Sequence, residues 1–133
     1  MIEISTDKNK LEIETIHQFL TETYWAKGRT LGEVKTSIEH CYCFGVYFDN
    51  KQIGFARIVT DYVVFAYVMD VFILPEYREK GYSKQLMKAI NEEPQLQKCK
   101  VWMLKTADAH NLYKQFGYTE LKNPEKVLER LLE

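Results

Sequence analysis

The segment from Asp70 to Lys84 collects, in fifteen residues, the groups that hold a phosphate. Val71 to Leu74 is an unbroken apolar run, suited to a strand covered on both faces. Pro75 cannot donate to a sheet ladder and ends it. A basic loop follows, and an amphipathic helix is predicted from about Gly81 to Asn91, with Tyr82, Leu86, Ala89 and Ile90 on one face. The first turn of such a helix leaves backbone N–H groups without partners, and its dipole is positive at that end. Gly81 lets an anion approach the backbone, and Arg78, Lys80 and Lys84 add charge that Glu79 offsets in part. The same residues also suit an ordinary strand-to-helix turn with solvated charges. The glycine-rich run of a nucleoside triphosphate loop and two of the three glycines of a dinucleotide fingerprint are missing.

The elements that position this loop follow from periodicity. Ile2 to Ser5 suits a short strand, and a helix is predicted from about Lys8 to Tyr24, with Ile13, Ile16, Leu20 and Tyr24 on one stripe. Thr30 with Glu33 is a capping-box signature for a second helix reaching about Glu39. Cys41 to Phe48 alternates as a strand and pairs, through a turn at Asp49-Asn50-Lys51, with Gln52 to Thr60. Val63 to Leu74 is a long strand expected to bulge near Met69-Asp70. Lys98 to Lys105 is a further strand, and Asp108 is the expected N-cap of a helix ending at Phe116. Tyr118 to Leu121 is read as a closing strand and Pro124 to Leu132 as a terminal helix. The order predicts an α/β fold with a mixed sheet and helices on both faces.

Composition narrows the function classes. The 133 residues suit one domain spanning residues 1–133, and 46% hydrophobic residues with 14% aromatic argue for a folded core. A formal charge of -1 offers nothing global to nucleic acid. No apolar run reaches transmembrane length and the N-terminus is not a signal peptide, so a cytoplasmic protein is expected. Cys41-Tyr42-Cys43 lacks the spacing of a zinc or redox pair, and no histidine supplements it. The cysteines are therefore expected to be packed thiols, and no metal site is expected.

Arg78-Glu79-Lys80-Gly81-Tyr82-Ser83 resembles the pyrophosphate loop of the GNAT superfamily of acetyl-CoA-dependent acyltransferases, with Ser83 where that family has glycine or alanine. Asp108 to Tyr118, with Leu112-Tyr113 and Phe116-Gly117-Tyr118, resembles the family's second motif, with a shortened helix start. The resemblance covers nearly the whole chain. It implies a GNAT-like three-layer α/β/α sandwich whose central sheet is mixed, mostly antiparallel, with a βαβ crossover at the cofactor loop.

The resemblance also implies roles. Backbone groups of Val71, Phe72 and Ile73 would bind the pantetheine arm and acetyl carbonyl of acetyl-CoA, between two splayed strands. Backbone N–H groups from Glu79 to Lys84, including those of Lys80, Gly81, Tyr82 and Ser83, would hold the pyrophosphate beside Arg78. Tyr113 would protonate or hydrogen-bond the departing thiolate; otherwise it is a packed amphipathic tyrosine. Asp70, isolated in an apolar stretch where desolvation would raise its pKa, would bind the substrate ammonium or act as general base, a task an ordered water could also fill. Alternatively, Asp70 marks the bulge and satisfies local backbone groups. Tyr24, Trp25 and Arg29 lie where the family commonly binds its acceptor, although Trp25 could instead anchor the helix pair.

These assignments imply an N-acetyltransferase that moves an acetyl group directly from acetyl-CoA to a primary amine, on a small molecule or a protein. Dimers are common in the family. The competing functions are a non-catalytic acyl-CoA sensor and a protein-interaction domain on the same fold.

Overall fold

The computed structural model describes residues 1–132. Five strands, β1 (Ile2–Ser5), β2 (Tyr42–Phe48), β3 (Lys51–Thr60), β4 (Phe65–Ile73) and β5 (Val101–Leu104), form one sheet in the order β1-β2-β3-β4-β5. The first four are antiparallel neighbours, and β5 returns parallel to β4. That return passes through α3 (Tyr82–Glu92), as a parallel crossover requires. The remaining helices are α1 (Ile13–Leu20), α2 (Leu31–Glu39) and the short α4 (His110–Lys114).

Alternation along the strands sorts side chains into two cores. Phe44, Val46, Ile58, Ala66 and Val68 pack with Leu86, Met87 and Ile90 of α3, and Tyr113 of α4 and Phe116 just after it join that side. Cys41, Cys43, Phe55 and Phe72 pack with Ile16 and Leu20 of α1 and Val34 and Ile38 of α2. The result is the expected three layers. Each fully buried Leu, Ile or Phe contributes about 1.5–3 kcal/mol relative to exposure. Cys41 and Cys43 share a face, as their spacing requires, and all three thiols are free and buried.

Local chemistry explains most boundaries. Asp49 and Asn50 both have positive φ (49° and 63°), forming the mirror-image turn that matches hairpin twist. The Thr30 hydroxyl accepts from Glu33 N–H and the Glu33 carboxylate from Thr30 N–H, completing the capping box. Gly54 allows β3 to approach β4, since a Cβ there would lie 2.7 Å from Ile73 Cδ1 and 2.9 Å from the Phe72 carbonyl.

Four expectations are corrected. The first helix is shorter than the apolar stripe predicts. Asp7 accepts from Asn9 N–H to cap a separate 3-10 turn, and Leu11 is extended at φ -67° and ψ 133°. Glu12 then exchanges hydrogen bonds with Gln52, fixing the start of α1 to β3. Asp108 does not cap α4; Thr106 Oγ1 accepts from Ala109 N–H at 3.0 Å instead. Tyr118 to Leu121 forms no strand. Gly117, at φ 96°, and Tyr118 send their N–H groups back to Lys114 and Tyr113, so these backbone donors close α4. Pro124–Lys126 is one 3-10 turn, with no helix after it among the described residues. Leu128, Leu131 and Leu132 are largely exposed, so no packed face supports a longer helix.

Candidate active site

The centre of the site is a bulge in β4. Arg57 faces Met69 and Phe55 faces Phe72, so Asp70 and Val71 together oppose Ala56. Asp70 takes a left-handed φ of 56°, which Asp tolerates better than branched residues. The bulge reverses the facing of the strand. Ala66 and Val68 point toward α3 before it, and Val71 and Ile73 do so after it. Asp70 and Phe72 consequently point toward α1 and α2.

At the same level the sheet opens. β5 pairs with β4 only from Phe65↔Val101 to Val68↔Leu104. From Met69 to Ile73, β4 continues without β5 beside it. Val71, Phe72 and Ile73 therefore lie on an arm of β4 that β5 does not cover.

The basic loop lies just beyond this arm. Arg78 folds back and donates from Nε to the Ile73 carbonyl at 2.9 Å, bracing the loop on β4. Glu79 and Gly81 both have left-handed φ, 63° and 80°. Alternation of this kind turns successive backbone N–H groups into a concave anion cradle. No side chain caps α3, and its ladder begins with Gln85 N–H donating to Gly81 O. The N–H groups of Tyr82, Ser83 and Lys84 precede that ladder and face the loop. A Cβ at Gly81 would meet nothing within 4 Å, so the space beside its backbone is open to a ligand. These groups fit a pyrophosphate in charge and in donor geometry. Lys80 and Lys84 are exposed around it.

Asp70 is buried with two arginines. Its Oδ2 accepts from Arg29 Nη1 at 2.7 Å and from Arg57 Nε at 2.8 Å. Its Oδ1 is buried without any protein donor. Burial works against the Arg57 charge, but the Asp70 carboxylate and a bond to Cys41 outweigh it and leave the guanidinium pKa above its ordinary value. The desolvated lone carboxylate expected at this position is thus an ion-paired one. It also sits on the bulge, as foreseen, but it satisfies no local backbone group: Oδ2 meets the two guanidiniums and Oδ1 meets no donor.

Tyr113 is half-buried on α4, edge-to-face with Tyr118 at 6.1 Å between ring centroids. Burial raises its pKa above the ordinary tyrosine value, with Asp108 and Tyr24 adding to the rise. The hydroxyl is therefore fully protonated at neutral pH, as a proton donor must be. The loop between α1 and α2 reaches the site through Arg29, which grips Asp70. Trp25 packs against Tyr24 at 5.2 Å and is 42% exposed, so it lies on the surface of this loop and outside the helix-pair core.

The profile of the acetyltransferase (GNAT) domain matches residues 39–120, more than half of the chain. The chain belongs to the GNAT acetyltransferase family. A crystal structure assigned to that family, from Xanthomonas campestris pv. campestris, is 44% identical, with 99% of this chain and 94% of that one covered at a TM-score of 0.96. A Gibberella zeae protein assigned as an acetyltransferase is 26% identical over 143 residues, covering 90% of this chain and 80% of its own length. A Staphylococcus aureus structure at 17% identity shares the fold, with a TM-score of 0.78.

Within this GNAT domain, sequence reasoning missed Arg57. Its signal was an arginine inside the apolar run Ile53 to Val59, which demands a buried partner, and Asp70 is the one isolated acid in the neighbouring apolar strand. Asp61, between β3 and β4, is engaged by local backbone. Its Oδ1 accepts from the N–H groups of Val63, Val64 and Phe65 and shapes the β3–β4 connection. Among the described residues, no group of three His, Cys, Asp or Glu side chains is placed to hold a metal. No helix among them is long and apolar enough to cross a membrane.

Proposed function

We propose that this GNAT domain transfers an acetyl group from acetyl-CoA to a primary amine, directly and within a ternary complex. The observation that carries the reading is the parting of β4 from β5 beyond Val68 and Leu104, immediately before the uncapped start of α3. The opening suits an extended pantetheine arm, and the loop at its end suits the pyrophosphate.

Acetyl-CoA supplies an activated acyl carbon as its thioester. The amine nitrogen forms a bond to that carbon, the C–S bond breaks, the amine loses a proton and the sulfur gains one. Backbone donors on the edge of β4 that β5 leaves uncovered, between Val71 and Ile73, are the groups available to stabilise the carbonyl oxygen as charge develops. Tyr113 Oη is the proton source for the sulfur, kept protonated by its burial. Asp70 Oδ1 orients the amine. Two guanidiniums already occupy its other oxygen, and water removes the amine proton.

The test is thiol release from acetyl-CoA in the presence of an amine library, with the acetylated product identified by mass. Amine-dependent release supports the reading. Saturable acetyl-CoA binding without turnover on any amine would contradict it and favour a non-catalytic acyl-CoA sensor.

A further inference from the structure

The Arg29–Asp70–Arg57 cluster carries more positive charge than holding one carboxylate requires. Asp70 balances one of the two arginines. Arg29 spends a single N–H group on it. Arg57 spends Nε, while its Nη1 and Nη2 meet only the Cys41 and Met69 sulfurs at 3.4 and 3.5 Å. Sulfur is a weak acceptor, so most donors of the two guanidiniums meet no oxygen.

Arg57 also lines an open groove of about 710 Å3 between α2 and the sheet, with Thr36, Ser37 and Val59 among its walls. Glu33 is the acid on this groove, and its Oε1 is already committed to Thr30 N–H. Arg29 is partly accessible, at 18% side-chain exposure, and Arg57 at 9%. Guanidinium groups bind carboxylate and phosphonate oxygens through paired donors, and such bonds are about twice as strong as neutral ones.

We infer that the acceptor is a short amine bearing an anionic group, of the amino-acid class, with its carboxylate on Arg29 and Arg57 and its nitrogen at Asp70 Oδ1. This rests on the acetyl-transfer reading above. The cluster limits the acceptor's length. The orphaned Oδ1 and the two guanidiniums are joined through one carboxylate, so the amine and the anion they receive lie only a few bonds apart. A polyamine fits poorly, because its further cations would face two arginines. Acetylation also removes the ammonium charge that Oδ1 receives, which loosens the product while its carboxylate remains on the arginines.

The experiment measures binding by calorimetry, with coenzyme A present, for the common L-amino acids and β-alanine against their carboxamides. At least one acid is expected to bind about tenfold more tightly than its amide, a difference of about 1.4 kcal/mol. Arg29→Gln is expected to abolish that preference, and Arg29→Lys, which keeps the charge without the fork, to retain part of it. Equal binding of acids and amides, tighter binding of amides, or no binding of either would overturn the inference. Acetyl-CoA is titrated separately on the same proteins. Acetyl-CoA binding and amide turnover without an acid preference would sink only the inference about the acceptor. Absence of acetyl-CoA binding would sink the transferase reading, and the acceptor inference that rests on it with it.

Discussion

Arg29 reaches from the loop after α1 to Asp70 in the middle of β4, placing Nη1 2.7 Å from Oδ2. This contact joins a surface loop to the strand bulge. It shares its acceptor oxygen with Arg57 Nε, so one carboxylate fixes two guanidinium planes. Loop, bulge and β3 are thereby set as a unit.

Asp70→Asn is expected to be costly in stability as well as in activity. Removing the charge leaves two arginines facing each other in a largely buried site. Breaking a buried pair in this way costs about 3–5 kcal/mol. Urea unfolding followed by circular dichroism measures it. A loss below about 1 kcal/mol would contradict the view that the cluster holds the loop and the bulge together.

Tyr113→Phe removes one oxygen and leaves the ring against Tyr118. A positioned acid typically contributes about 10²–10⁴-fold to rate. Turnover is therefore expected to fall by about 10²-fold or more, while acetyl-CoA affinity and unfolding midpoint stay near those of the parent. Unchanged turnover would return Tyr113 to a packing role.

Alkaline pH is expected to weaken the fold. Burial pushes the Cys43 thiol from 9.0 up to about 12, and the Tyr47 and Tyr118 hydroxyls from 10.0 up to about 12. Below pH 9 these groups are protonated in folded and unfolded chains alike. Above pH 9 for Cys43, and above pH 10 for the tyrosines, the unfolded chain releases protons that the folded one retains. Stability then falls as pH rises toward 12. Denaturation midpoints between pH 8 and pH 11 check the sign, and Cys43→Ser should lessen the fall that begins near pH 9.

Much of this architecture is legible in the residues because one rule governs each part. Alternation from Tyr42 to Phe48 places its even positions toward α3, and Thr30 with Glu33 caps α2, since both depend on neighbours in sequence. Gly81 and the apolar run before Pro75 likewise mark the loop through local backbone requirements. The site's electrostatics were less legible. Asp70 could be singled out as a buried acid, but its partners stand 13 and 41 residues away, and pairing across strands and loops follows from register. The C-terminal segment misled for the opposite reason. Tyr118 to Leu121 has strand-like residues, but the Gly117 turn uses the backbone groups that open it, and Leu128 to Leu132 finds no core to cover.

Titration of the purified protein with acetyl-CoA by calorimetry, with ATP as control, tests the central claim most directly. Saturable binding of acetyl-CoA and not of ATP is expected. Gly81→Asp should weaken it about tenfold or more, because a side chain at φ 80° is strained and its charge repels the pyrophosphate. A folded protein that gives no heat with acetyl-CoA, or that binds it equally well after Gly81→Asp, would contradict the assignment of this loop and opening as the cofactor site.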